Sequence, residues 1–175
     1  KPFLAFRNVH TLSHSNLYAN SKYREVPKGV AFQLYDGYPS LNMQFSKNTE
    51  YVHNPDWYYN IEYMKDRTRG YDYLEDLFVP GYFETDIKKG ESIVFSASTS
   101  EARPEELKKL FTREVNNKTP RDSFFGCLRN SAEQFVVKMP SFTDIQAGYP
   151  WYNGRINQTF VALPGLSLAL NNPDL

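Results

Sequence analysis

The sequence predicts a β-rich domain followed by helices, an α+β arrangement in which the strands come first. Apolar residues alternate with period two at intervals through roughly the first hundred residues, and from Arg103 onward they recur at helical spacing. Ring content points the same way: 13 Tyr, 13 Phe and 2 Trp suit a β-rich core, and they equally offer flat faces for stacking on sugars.

The strands can be placed one by one. Val30, Phe32 and Leu34 alternate with Ala31 and Gln33; Leu41, Met43 and Phe45 alternate with Asn42 and Gln44; Trp57, Tyr59, Ile61 and Tyr63 alternate with Tyr58, Asn60 and Glu62. Each set fits a half-buried strand. Asp36-Gly37-Tyr38-Pro39, Asn54-Pro55-Asp56 and Lys88-Lys89-Gly90 carry turn chemistry, and Ser92 to Ala97 alternates again after the last of these. Several strands at this short spacing predict a β-sandwich.

The helices follow. Within Arg103–Val115, Pro104 suits the first helical turn, Glu105 and Glu106 come next, and Leu107, Leu110, Phe111 and Val115 share a face. A second helix is predicted over Ser123–Val137, where Phe124, Leu128, Ala132 and Phe135 recur at helical spacing and Asp122 can cap the start. A third is predicted over Asn157–Leu170, bent or interrupted at Pro164. The change of period places a domain boundary near Asn116–Pro120, with residues 1–120 as a β-sandwich domain with a closing helix and residues 121–175 as a helical part.

Charge excludes several function classes. Lys+Arg and Asp+Glu balance at 20 each, so no net field favours nucleic acid, an anionic membrane or a strongly charged substrate. The longest apolar run, Phe160–Leu170, is broken by Pro164 and Gly165 and falls short of the roughly 20 residues of a membrane span. A soluble protein with no membrane partner is expected. The single cysteine, Cys127, excludes an internal disulfide and fits a reducing, cytoplasmic setting. The chain begins at Lys1 with no charged-then-apolar leader before Phe3, which predicts an internal boundary or a processing site there.

Few residues suggest chemistry. His10 and His14 have the spacing of two imidazoles sharing a metal on a helix, but no third ligand is indicated. An ordinary loop pair is expected, and no metal site. His53, in HNPDW, reads as a turn residue, and Cys127 reads as packed beside Phe124 and Leu128. Glu75 and Asp76 are adjacent, so on a strand they point to opposite faces and do not form the carboxylate pair of glycoside hydrolysis. One is expected to be buried and ion-paired, with Arg67 and Arg69 as candidate partners, and the other to face solvent.

Two blocks carry a resemblance. WYYNIEYMKDRTRGYDYLEDLFVPGYF, Trp57–Phe83, and AEQFVVKMPSFTDIQAGYPWYNGRINQTFVALPGL, Ala132–Leu166, resemble consecutive parts of the bacterial and archaeal type of glycogen debranching enzyme, the amylo-alpha-1,6-glucosidase family. The resemblance covers most of the chain. It implies a β-supersandwich N-terminal domain followed by α-helices that begin a helical toroid carrying the catalytic carboxylates. Such a toroid, at about 11 residues a helix, needs on the order of 200 residues. Residues 121–175 are therefore expected to supply only the first helices of an incomplete α/α-toroid, with the general acid and base beyond Leu175.

The resemblance also implies a sugar site and a function. In family members the aromatic pair matching Trp151 and Tyr152 leads to an Arg-Asp element that holds a glucose. Here Asn157-Gln158 stands in that place, and sliding to Gly154-Arg155 puts Ile156 where the aspartate belongs. Amides still hydrogen-bond hydroxyls, so Trp151, Tyr152, Arg155, Asn157 and Gln158 are the expected substrate-binding residues, with packing of the two rings on the sandwich as the other reading. No catalytic residue and no cofactor is expected. The implied function is the non-catalytic N-terminal domain of a debranching-type glucosidase acting on α-1,6 branches of α-glucan. The alternative is a stand-alone carbohydrate-binding or structural module that has lost enzymatic function. Phe160, Val161, Leu163, Leu166, Leu168 and Leu170 form an apolar surface expected to fold back on the sandwich or to drive a homo-oligomer through residues 121–175.

Overall fold

The computed structural model describes residues 1–149 and 152–171, with the backbone alone at 152–154. The chain divides into two compact units, Lys1–Arg113 and Glu114–Leu175. The division falls inside a helix.

The first unit is built on two sheets. Strands β1 (Tyr23–Val26), β2 (Gly29–Phe32), β3 (Leu41–Phe45) and β6 (Phe95–Ser98) form an antiparallel four-stranded sheet in the order β1-β2-β3-β6. The long strands β4 (Glu50–Glu62) and β5 (Leu74–Glu84) form a two-stranded sheet, joined through the short helix α1 (Met64–Thr68). The core gathers Leu4, Val30, Phe32, Leu34, Met43 and Phe78. Rings of the four-stranded sheet pack on rings of the other, Tyr23 on Tyr51 and Phe45 on Phe83 at 5.0 and 4.8 Å between centroids.

Alternation located β2 and β3 but understated their burial, and it gave no sign of β1 or β5. Ala31 is buried with Val30 and Phe32, and Asn42 and Gln44 are buried with Met43. The polar pair is tolerated because it is satisfied: Gln44 exchanges hydrogen bonds with Ala102 and donates to the Pro27 carbonyl, and Asn42 donates to the Ser98 carbonyl. The expected turns at Asp36–Pro39 and Lys88–Gly90 form, with Gly37 and Gly90 at φ of +83° and +82°.

Asn54-Pro55-Asp56 does not turn. It lies inside β4 as a bulge: His53 pairs with Gly81 and Asp56 with Val79, so Asn54 and Pro55 together oppose Pro80. The two prolines lack the N–H a regular ladder needs, and an extra residue absorbs the mismatch. A second bulge sets Tyr59 and Asn60 against Asp76, with Asn60 at φ +55°. At Gly81 a Cβ would lie 2.1 Å from the Val52 carbonyl oxygen, so the close approach of β4 requires glycine.

Helix α2 (Leu107–Asn117) follows a 3₁₀ turn at Pro104–Glu106, as the proline and glutamates predict. Of its apolar face Leu107 is buried, while Phe111 and Val115 are exposed. In the second unit α3 (Phe124–Glu133) is capped by Ser123, whose Oγ accepts from Gly126 N at 3.0 Å, rather than by Asp122. It ends before Val137: the β-branched pair Val136-Val137 instead enters β7 (Val136–Lys138), which pairs with β8 (Thr143–Gly148), itself paired with β9 (Tyr152–Gly154). Helix α4 (Ile156–Pro164) then passes into a π-helical turn at Gly165–Ala169, the interruption expected at Pro164.

The buried side of α3 is not its apolar side. Gly126 and Asn130 are buried, with Asn130 donating to the Thr119 carbonyl at 3.0 Å, while Phe124, Phe125 and Leu128 are exposed. Cys127 is exposed, contrary to the packed position its neighbours suggested. Both corrections share one cause: the helix packs its small and amide residues against the Thr119–Arg121 segment.

Candidate functional site

Of the sequence-expected sugar residues, Arg155, Asn157 and Gln158 are described and lie at the start of α4. Arg155 precedes α4 in an extended conformation, and Asn157 and Gln158 occupy the first turn, exposed. Trp151 lies outside the described residues, as does the side chain of Tyr152. Gln158 and Thr159 line a cleft of about 610 Å³ whose walls are mostly apolar, with Phe125, Leu128, Phe135, Ile145 and Leu166 contributed by α3, β8, the π turn and their flanks. Arg155 and Asn157 lie outside that lining. Two of the polar groups at the cleft are engaged elsewhere: Arg129 Nε donates to Glu133 Oε1 at 3.0 Å and Gln146 Nε2 to Asp144 Oδ2 at 2.8 Å.

The second candidate is the acidic pair on β5, and here both carboxylates are buried. Glu75 is paired with Arg7, not with Arg67 or Arg69. Arg7 Nε donates to Oε1 and Nη2 to Oε2 at 3.0 Å, a bidentate arrangement. Ser13 adds its N–H at 3.1 Å and its hydroxyl at 3.0 Å to Oε1, and the Tyr63 hydroxyl donates to Oε2 at 2.6 Å. Burial pushes this carboxyl up, but Arg7, Tyr63 and Ser13 together outweigh it and hold the group below the ordinary Glu range. Asp76 accepts from the backbone N–H groups of Ser15 and Asn60 at 3.0 and 2.9 Å, which hold it below the Asp range. Both carboxylates are thus engaged by donors of the first unit.

Arg67 lies 3.6 Å from Glu62 and stacks over Tyr73, and Arg69 stacks over Tyr71. Arg7 and Ser13 escaped the sequence reading because they stand 68 and 62 residues from Glu75 in a segment without periodic pattern, and Tyr63, 12 residues away, read only as a strand position. His10 and His14 lie in a loop, not on a helix, and His14 Nδ1 is 3.7 Å from Asp76 Oδ2. Among the described residues no three His, Cys, Asp or Glu side chains are grouped to hold a metal ion. No helix among them is long and apolar enough to cross a membrane.

The first unit is thus a β-rich domain held by a buried bidentate ion pair, with helices after it. The model of the family described as glycogen debranching enzyme N terminal matches residues 1–94, more than half of the chain, and the chain belongs to that family. No curated protein and no solved structure matches it. The acidic clamp falls within the matched residues, while the Ala132–Leu166 block and the cleft lie beyond them.

Proposed function

We propose that this chain acts as the non-catalytic N-terminal portion of a glycogen debranching-type glucosidase, supporting the catalytic domain and helping to hold branched α-glucan in the cytoplasm. Membership of the family carries this reading. The hydrogen bonds that engage Glu75 and Asp76 within the first unit support the non-catalytic part. In the finer reading the two sheets of the first unit are the layers of a supersandwich, and residues 121–175 open the helical toroid. Trp151, Tyr152, Arg155, Asn157 and Gln158 contact sugar, and a second copy covers the apolar face of the tail.

The test is glucose release from a branched limit dextrin, together with titration by maltooligosaccharides at low and high salt. No hydrolysis and weak, salt-insensitive binding are expected, because the net charge is zero and ring stacking on neutral sugars needs no ionic attraction. Hydrolysis that disappears in Glu75→Gln would overturn the assignment. Steeply salt-dependent binding would replace glucan by a charged ligand. The second reading, a stand-alone module, is favoured by Asn157-Gln158 standing in place of an Arg-Asp element, and the coding sequence downstream of Leu175 separates the two.

A further inference from the structure

A row of rings runs Phe95, Phe45, Phe83, Tyr51, Tyr23, with neighbouring centroids between 4.8 and 5.1 Å apart. It ends at the surface on His53, an exposed residue whose ring centroid is 5.0 Å from that of Tyr23. The Tyr51 hydroxyl lies between two groups, the Pro80 carbonyl oxygen at 2.7 Å and His53 Nδ1 at 3.0 Å. A hydroxyl has one proton, and a carbonyl only accepts. The Tyr51 proton therefore goes to Pro80, and His53 Nδ1 must itself carry a proton and donate it to the Tyr51 oxygen.

The bulge in β4 makes this possible. Asn54 and Pro55 both stand opposite Pro80, so the ladder is broken beside that carbonyl and it is open to a side chain. In the neutral imidazole the lone pair is then left on Nε2. Neither Nε2 nor the Tyr23 hydroxyl has a hydrogen-bond partner among the described residues. Tyr23 itself is 40% exposed. A ring edge with a fixed acceptor and a free hydroxyl, uncharged when the imidazole is neutral, fits a neutral polyol ring: apolar C–H groups against Tyr23 and a hydroxyl donated to Nε2. A metal ion has no further ligand there, since no group of three donor side chains exists among the described residues.

We propose that Tyr23 and His53 form a glycosyl-binding subsite on the first unit, with Tyr51 fixing His53 as the Nδ1–H tautomer. The proposal rests on the α-glucan reading and adds a second contact point, separate from the α4 junction.

The experiment is heteronuclear NMR on the full chain with nitrogen-15 in its three histidines, before and after addition of maltoheptaose, with Tyr23→Ala as the binding variant. The expected spectrum shows His53 protonated at Nδ1 at neutral pH, a shift of its Nε2 on adding sugar, and binding weakened about threefold to tenfold by Tyr23→Ala. An Nε2–H tautomer for His53 overturns the proposal without reference to any ligand. Sugar-induced shifts elsewhere with His53 unchanged overturn the subsite and leave the glucan reading standing. No shift anywhere at millimolar sugar overturns both.

Discussion

Replacing Arg7 by alanine isolates the clamp that ties the N-terminal segment to β5. Glu75 has no solvent exposure, and among the described residues Arg7 supplies two of its five hydrogen bonds and the cation paired with it. Removing one partner of a buried ion pair costs about 3–5 kcal/mol because the other charge is left uncompensated. The Arg7 side chain retains 19% exposure, so water reaches part of the space it leaves, and Ser13 and Tyr63 still donate. The lower end, about 3 kcal/mol, is therefore expected. The assay is urea unfolding followed by fluorescence in a Trp151→Phe background, so that Trp57 on β4 alone reports on the first unit. Arg67→Ala is the control, since its exposed contacts, a 3.6 Å approach to Glu62 and stacking over Tyr73, should together be worth about 1 kcal/mol or less. A loss below about 1 kcal/mol for Arg7→Ala, or equal losses for the two variants, would refute the account of the clamp.

Three further outcomes follow from the same geometry. Glu75 and Asp76 both titrate below their ordinary values of 4.5 and 3.8, so their stabilisation is complete above those values and disappears as pH falls through the folded ones. The stability difference between wild type and Glu75→Gln should thus hold steady down to about pH 4.5 and shrink below it, and a difference that grows on acidification contradicts the assignment. Gly81→Ala should destabilise the first unit by about 3 kcal/mol or more, because φ is +151° and the new Cβ would meet the Val52 carbonyl oxygen at 2.1 Å; equilibrium unfolding that matches wild type would show that β4 can move away. Light scattering should find the chain self-associated through its exposed apolar tail, and Phe160→Lys with Val161→Lys, at positions 67% and 84% exposed, should return a monomer, since burying that face gains about 25 cal/mol for each Å²; a monomeric wild type refutes the second-copy cover.

What was legible in the sequence is what local chemistry decides. Alternation located β2 and β3, and Pro104 with its following glutamates located the start of the helical region, because both signals act within a few residues. The bulges in β4 were not legible, since Asn54-Pro55-Asp56 reads as a turn unless the partner strand is known to carry Pro80 opposite it. Nor was the direction in which α3 faces. Its apolar residues are exposed because Gly126 and Asn130 fit against the backbone of Thr119–Arg121, a shape match that periodicity cannot encode. At the site, adjacency on a strand suggested that one of Glu75 and Asp76 meets solvent, and that inference failed, since both are buried. Their partners come from a segment about sixty residues earlier in the chain.

That failure has a physical reason. One of two adjacent strand side chains meets water only if nothing covers its side, and at β5 the Ser13–Ser15 segment lies against the strand, Asp76 N donating to the Ser13 carbonyl at 2.8 Å. The bulge opposite Asp76 turns the Asn60 N–H out of the ladder, with Asn60 in the left-handed region, and Asp76 Oδ1 accepts it at 2.9 Å. The Ser13–Ser15 segment belongs to no strand, so its N–H groups need acceptors: Glu75 takes that of Ser13 and Asp76 that of Ser15. The two carboxylates therefore take N–H groups that no ladder pairs and fasten the Ser13–Ser15 segment to β5. Leu4 extends the same attachment by donating its N–H to the Phe78 carbonyl at 2.9 Å. The pair is thus committed to five backbone and hydroxyl donors and an arginine, a set of contacts that ties the N-terminal segment to β5, and sugar contact is sought in the rings and amides instead.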